Sequence, residues 1–182
     1  MKTVAIQGIR GSYSEEAAIK MMPRSVRLIE CADFASVFEA VRSNADTCGI
    51  VPLRNTIIGE IEPVAELLQK GAVEILEEYD LDIEHVLAAI GGAEIGKLTE
   101  VHSHPAALKQ CRDFLDANSH IRPVDAGDTA SSIRGVVEEA NRLHAAICSR
   151  SAADIYGAEV LSERISDIEE NKTTFGLIAR KN

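Results

Sequence analysis

Residues Val73 to Ile90 form one long run in which apolar and polar side chains mostly alternate, with several β-branched residues among them. A period of two means extended chain. The run is too long for one ordinary strand, so it reads as chain crossing from one lobe to another. It divides the sequence into two α/β series.

In the first series, Thr3 to Ile6 is an apolar strand, Gly8 to Gly11 a turn, and Ser12 with Glu15 fits a capping box for a helix from Tyr13 to Met21. A strand at Arg27 to Glu30 follows, then a helix spaced by Phe34, Val37, Phe38 and Val41 and ending near Asn44. Cys48 to Val51 is a buried strand closed by Pro52, and Ile61, Val64, Leu67 and Leu68 mark another helix. The second series starts after Gly91-Gly92. It predicts strands at Thr99–His102, Arg122–Ala126 and Ala145–Cys148. Helices are predicted at Pro105–Asp116, at Thr129–Asn141 capped by Asp128, and at Ser151–Tyr156 with Gly157 at its end. Glu159 to Arg180 reads as mostly extended and returning to the first lobe. The expected organisation is one lobe from 1–78 and 159–182 and a second from 79–158, with a ligand cleft between them.

At 182 residues and 46% hydrophobic, the chain can bury one substantial core or two small ones. Its net charge of −10 and lack of a basic stripe argue against nucleic-acid binding. The four cysteines, Cys31, Cys48, Cys111 and Cys148, form no C-x-x-C pair and read as reduced thiols of a cytoplasmic protein. No membrane-length apolar run or signal peptide is visible, so no membrane partner is expected.

Several segments carry polar groups at strand ends. Val101 to Cys111 runs from a strand into small polar residues and a proline at a helix start, an arrangement that can aim backbone N–H groups at an anion. Ser103 and Gln110, seven residues apart, fall near one helical face. The loop Gly8 to Ser14 offers Ser12 and Ser14, although by itself it is an ordinary capped turn. Pro52 to Thr56 offers Arg54 for a bidentate carboxylate contact, or else an Asn turn beside a solvated arginine. Asp128 to Ser132 is first of all a helix cap that can also turn Thr129, Ala130 and Ser131 to a ligand. Asn171 to Phe175 brings two hydroxyls and a cation to the start of the last strand. His102 and His104 lack any H-E-x-x-H or Cys/His framework, so no metal is expected.

Taken in order, these segments resemble the catalytic domain of the prephenate dehydratase family over essentially the whole chain. Gly8 to Ser14 is similar to its G-P-x-G-T-F-S, Phe34 to Val41 to its F-x-x-V-F-x-A-V, and Gly49 to Gly59 to its G-V-V-P-I-E-N-S-x-x-G. Ser103 to Cys111 resembles S-H-P-Q-A-L-x-Q-C, Asp128 to Ala130 stands where the family has S-T-A, and Tyr156-Gly157 and Asn171 to Phe175 resemble Y-G-L and N-x-T-R-F. The resemblance implies a two-lobed, periplasmic-binding-protein-like (type II) α/β fold with the active site in the interlobe cleft. It implies conversion of prephenate to phenylpyruvate, carbon dioxide and water in phenylalanine biosynthesis, without cofactor or metal. On the family pattern Thr173 assists departure of the ring hydroxyl, and Asn55, Ser103 and Gln110 join it in catalysis. Ser12, Ser14, Arg54, Thr56, His104, Thr129, Ala130, Ser131, Thr174 and Phe175 fall in segments expected to hold substrate.

Two departures stand out: Thr174 replaces the family's arginine, and Arg54 replaces its glutamate. The expectation is that Arg54 supplies the carboxylate charge that position 174 gave up. Decarboxylation without loss of the hydroxyl, use of arogenate, and non-catalytic binding of a small carboxylate are the alternatives. Only Lys181 and Asn182 follow the last strand, so no C-terminal ACT domain and no phenylalanine feedback through one are expected. The family's habit implies a homo-oligomer, a dimer or tetramer.

Overall fold

The computed structural model describes residues 2–22 and 26–181. Its chain divides into two α/β units. Unit 1 holds the described residues of Met1–Ile9, Tyr13–Ile83 and Glu170–Asn182, and unit 2 holds Arg10–Ser12 and Glu84–Glu169.

Unit 1 contains β1 (Thr3–Gln7), α1 (Tyr13–Met21), β2 (Arg27–Cys31), α2 (Phe34–Ser43), β3 (Thr47–Asn55), β4 (Gly59–Glu60), α3 (Glu62–Gln69) and β5 (Val73–Asp82), and closes with β11 (Lys172–Arg180). Its sheet runs β2-β1-β3-β11-β5, with β4 hairpinned onto β3. The β1, β2 and β3 pairings are parallel, while β11 pairs antiparallel with both β3 and β5. Strand side chains alternate between faces, so β1 feeds two cores. Val4 and Ile6 pack with Ala17 and Ala18 of α1 and with Phe175, while Ala5 packs with Val37, Phe38 and Val41 of α2 and with Val64 of α3. Helices on both faces explain why β1 and the middle of β3 read as continuous apolar runs. Gly49 admits no side chain, because a Cβ there would sit 2.9 Å from both Ile178 and Val41. That close approach lets α2 lie flat on the sheet.

Pro52 does not close β3 as its sequence suggests; the strand continues through it to Asn55. Proline cannot donate to a ladder, and the pairing answers with a shift. Phe175 pairs with Pro52 and Thr174 with Arg54, so that Leu53 is skipped. This bulge sets the facing of the last residues of β3.

Unit 2 contains β6 (Val86–Ala89), β7 (Glu100–Ser103), α4 (Pro105–Gln110), α5 (Arg112–Ala117), β8 (Arg122–Asp125), α6 (Thr129–Glu139), β9 (His144–Cys148), α7 (Arg150–Tyr156) and β10 (Glu159–Ser162). Its sheet order is β10-β6-β9-β7-β8. Leu87, Leu98, Val101, Leu108, Cys111, Ile121 and Ile147 form its core.

Besides Arg10–Ser12, which belong to unit 2 although expected in the first lobe, the chain passes between units at Ile83/Glu84 and at Glu169/Glu170, later in each case than the expected 78/79 and 158/159. The shift of the second crossing has a clear cause: β10 pairs antiparallel with β6, which keeps Glu159 to Ser162 in unit 2. The single helix expected over Pro105–Asp116 is two. Cys111 takes φ −119 and ψ 31 between α4 and α5. The Asp167 carboxylate accepts the N–H groups of Arg112 and Asp113, both at 3.0 Å, and so caps the second piece. No helix among the described residues is long and apolar enough to cross a membrane.

Candidate functional site

Within unit 1 the polar cluster forms where β3 ends and β11 begins. Asn55 pairs with Thr173 across these strands, and each is only 8% exposed. The Asn55 side-chain oxygen accepts the N–H of Ile57 at 2.9 Å and of Ile58 at 3.2 Å, an Asx turn that fixes which way the amide points. Its Nδ2 therefore faces acceptors. It donates to Asn171 Oδ1 at 2.7 Å, Thr173 Oγ1 at 2.9 Å and the Lys172 carbonyl at 3.0 Å. Thr56 ties the same junction: its Oγ1 accepts the Lys172 N–H at 2.9 Å and its own N–H donates to the Lys172 carbonyl at 2.9 Å. Thr56, expected to hold substrate, is thus committed to joining the strand ends.

The chemical consequence falls on Thr173. Its oxygen receives a hydrogen bond from Asn55, and its O–H is bound to no acceptor among the described residues. The group is a hydroxyl whose oxygen is polarised from one side and whose proton is available on the other. Next to it, Thr174 donates to Asp80 Oδ1 at 2.5 Å. Arg54 pairs with Glu78 at 2.9 Å, and its side chain is 58% exposed. The two departures from the family pattern are therefore cross-strand neighbours, Arg54 opposite Thr174, each meeting a carboxylate from β5. Phe175 is buried in the unit 1 core with Val4 and Ile6 and presents no surface there, and Ser14 is buried in α1.

Within unit 2, Ser103 ends β7 with no exposure, and its Oγ donates to the Ile147 carbonyl at 2.6 Å. Its proton is spent on holding β7 to β9, which differs from the catalytic part expected of it. Gln110 is the last residue of α4. Its Oε1 lies 2.8 Å from Nε2 of His85, a ring 2% exposed. Burial pushes the His85 pKa down, with the Gln110 contact opposing. The ring is therefore neutral near pH 7. Nε2–H donates to Oε1, which fixes the Gln110 amide with its N–H side turned away from His85.

Two expected donor sets are already in use. The Ala106 N–H donates to His104 Nδ1 at 3.1 Å, and the N–H groups of Ala107 and Leu108 donate to the His104 carbonyl. The start of α4 is thus capped by its own histidine rather than held open for an anion. At α6, Asp128 accepts the Ser131 N–H at 2.7 Å and the Ser131 hydroxyl at 2.7 Å, and its carbonyl accepts the Ser132 hydroxyl at 2.6 Å. Ala130 is buried beneath, and Thr129 stands half-buried at the first position. Ser12 lies in the 10–12 loop, which unit 2 holds firmly. Gly11 adopts φ 85, and a Cβ there would meet Ala152 Cα at 2.9 Å. Ser149 Oγ donates to the Gly11 carbonyl at 3.1 Å and Tyr156 Oη to the Arg10 carbonyl at 2.7 Å.

Sequence reasoning gave His85 no place beside Gln110 and gave Asn171 no role of its own. Asn171 was within reach: two residues before Thr173 in an extended segment, it shares that residue's face. His85 carried only the weak signal of a lone ring inside an apolar run.

The family model described as prephenate dehydratase matches residues 4–182. "Arogenate dehydratase 2" of Petunia hybrida is 36% identical over 178 residues, 98% of this chain and 45% of that protein. The "bifunctional chorismate mutase/prephenate dehydratase" of Escherichia coli (strain K12) is 32% identical over 181 residues, 98% of this chain and 47% of that one. The chain spans about half the length of the curated relatives it matches. Among solved structures, prephenate dehydratase from Arthrobacter aurescens in complex with L-Phe superposes with a TM-score of 0.90 at 27% identity, covering 99% of this chain and 61% of that one. Family model, relatives and fold agree over nearly every residue, and this chain belongs to the prephenate dehydratase family.

Proposed function

We propose that this chain converts prephenate to phenylpyruvate, carbon dioxide and water. The observation that carries the proposal is the Asn55 Nδ2 to Thr173 Oγ1 hydrogen bond, which leaves the threonine proton available. In the reaction the ring carboxylate leaves as carbon dioxide, its electron pair enters the ring, and the C–O bond to the ring hydroxyl breaks. The departing hydroxide takes one proton, in net terms from solvent, and becomes water. Aromatisation provides the drive, so the protein has to orient the ring and stabilise leaving oxygen. Threonine is a weak acid. Its part is a hydrogen bond to the leaving oxygen that strengthens as the C–O bond lengthens, with charge building on Oγ1 met by the Asn55 amide. Asn171 and the Lys172 carbonyl hold that amide in place. Within unit 2, His85 fixes the Gln110 amide. Ser103 positions the end of β7.

The test is incubation with prephenate while following phenylpyruvate absorbance and carbon dioxide release. Thr173→Val keeps the shape and removes the hydroxyl; kcat should fall by ~10²–10⁴ with KM little changed. Carbon dioxide without an aromatic product would mean a decarboxylase instead. Wild-type turnover by Thr173→Val would remove the hydroxyl from the mechanism.

A second reading, use of arogenate, draws on Asp80, which brings negative charge beside position 174, whereas the charge of Glu78 is met by Arg54. Arogenate carries an ammonium where prephenate has a keto group, and an acidic surround favours it. The Petunia hybrida relative bears that activity in its name. The ratio of kcat/KM for the two substrates decides between them, and Asp80→Asn should lower it for arogenate alone. Cytoplasmic location belongs to the same proposal, supported by four unpaired, buried thiols.

A further inference from the structure

We propose that unit 2 carries a site for a divalent transition-metal cation of the zinc class, held by Glu100, His102 and His144. These three side chains offer one ligand atom each, and the atoms lie within 4.8 Å of one another. Glu100 and His102 are two apart on β7 and share a face, opposite to that of Val101 and Ser103. His144 opens β9 directly beside Glu100 in the parallel register.

The nitrogens are prepared as ligands. His144 Nδ1 lies 2.9 Å from Glu139 Oε2. With the proton on Nδ1, Nε2 is the bare lone pair. This carboxylate–histidine arrangement orients and strengthens metal-binding imidazoles. The Asn141 oxygen accepts the Leu143 N–H at 3.0 Å, so its Nδ2 is the group that faces His144 Nε2 at 3.2 Å. That contact confirms Nε2 as an acceptor, and a cation would displace it. The second nitrogen, His102 Nε2, is buried and makes no hydrogen bond. It nonetheless lies 3.2 Å from Glu100 Oε2, while His144 Nε2 lies 3.8 Å from the same oxygen.

These spans suit a small ion. Zinc bonds of ~2.0–2.2 Å in a tetrahedron place neighbouring ligand atoms roughly 3.3–3.5 Å apart. One span is already there, and small side-chain rotations close the others. Glu100 uses its other oxygen on Arg122, which fixes the carboxylate. Two carboxylates against one guanidinium leave the pocket negative. A cleft of about 270 Å³ lined by His102, Ser131, Ser132, Gly135 and Glu139 adjoins the cluster and gives an entry path and room for a water ligand.

The test uses the whole chain after chelator treatment, titrated with cobalt(II) by visible absorption and with zinc(II) by calorimetry. One equivalent should bind with a micromolar or tighter Kd, with cobalt bands of four- or five-coordinate intensity and a rise in Tm of several degrees. His102→Gln and His144→Gln should each weaken binding more than tenfold. Exposed Glu139→Gln, which removes no ligand and leaves packing intact, should weaken it about tenfold. Absence of binding at 100 µM metal overturns the proposal. So does unchanged affinity in both histidine variants, since the ion would then sit elsewhere.

Discussion

Replacing Asn55 with Asp exchanges one NH₂ for one oxygen and changes almost nothing in volume. The structure makes the result severe. Nδ2 faces three oxygens at 2.7, 2.9 and 3.0 Å and shares its two hydrogens among them. Losing two hydrogens costs about 2 kcal/mol, since a net hydrogen bond contributes about 1 kcal/mol. An extra oxygen set against buried acceptors adds about 1–3 kcal/mol. Thr173 can turn its O–H onto the new carboxylate and recover one bond, which leaves a net loss of about 3 kcal/mol. For a chain of this length each kcal/mol lowers Tm by about 2–4 °C, so Tm should drop by roughly 6–12 °C. Against a typical stability of about 5–15 kcal/mol the protein stays folded. The same reorientation removes the Thr173 proton from the substrate, so kcat should fall at least ~10²-fold at a temperature where the variant is fully folded. Calorimetric melting and phenylpyruvate formation measure the two effects. A Tm within about 2 °C of the parent, or turnover within about threefold of it, would refute the account of this junction.

Other outcomes follow from neighbouring observations. His85 is held below the ordinary imidazole value of 6.5, so the unfolded chain binds more protons between its folded and unfolded values. Its contribution is complete above pH 6.5 and is lost as pH falls toward the folded value. Melting from pH 7.5 down to 5 should show falling Tm, with a flatter profile in His85→Gln. Burial pushes the thiols of Cys111 and Cys148 up to about 12, Asp167 adding to the effect at Cys111. Neither should react with a thiol reagent at pH 8 until the protein is denatured, and rapid labelling of either in the native state would contradict the packing. Because Glu78 already holds Arg54, Arg54→Ala should change KM for prephenate less than about threefold. A tenfold rise would restore the arginine to the substrate carboxylate.

Much of the fold was written in local patterns. Apolar periodicity placed β1, α2 and α3, and turn and cap chemistry marked Asp128 and Gly157 as the ends of α6 and α7. These signals are local because a cap needs only the backbone groups within one turn. The failures are equally physical. Pro52 reads as a stop, yet an extra residue in β3, Leu53, shifts the pairing with a strand more than a hundred residues away and accommodates the missing N–H. The break at Cys111 depends on Asp167, and β10 stays in unit 2 because β6 offers it an edge.

The candidate site divides along the same line. Sequence alone determined which residue types sit at the strand ends, and motif order was enough to name Thr173, Asn55, Ser103 and Gln110. Tertiary structure decided what each can do, because a hydroxyl or amide is defined by what its hydrogens and lone pairs are bound to. It left Thr173 a proton to give, spent that of Ser103 on a carbonyl, and turned Gln110 against a neutral His85. It also brought Glu100, His102 and His144 together from two strands, a grouping that linear spacing hides because parallel pairing joins residues more than forty positions apart.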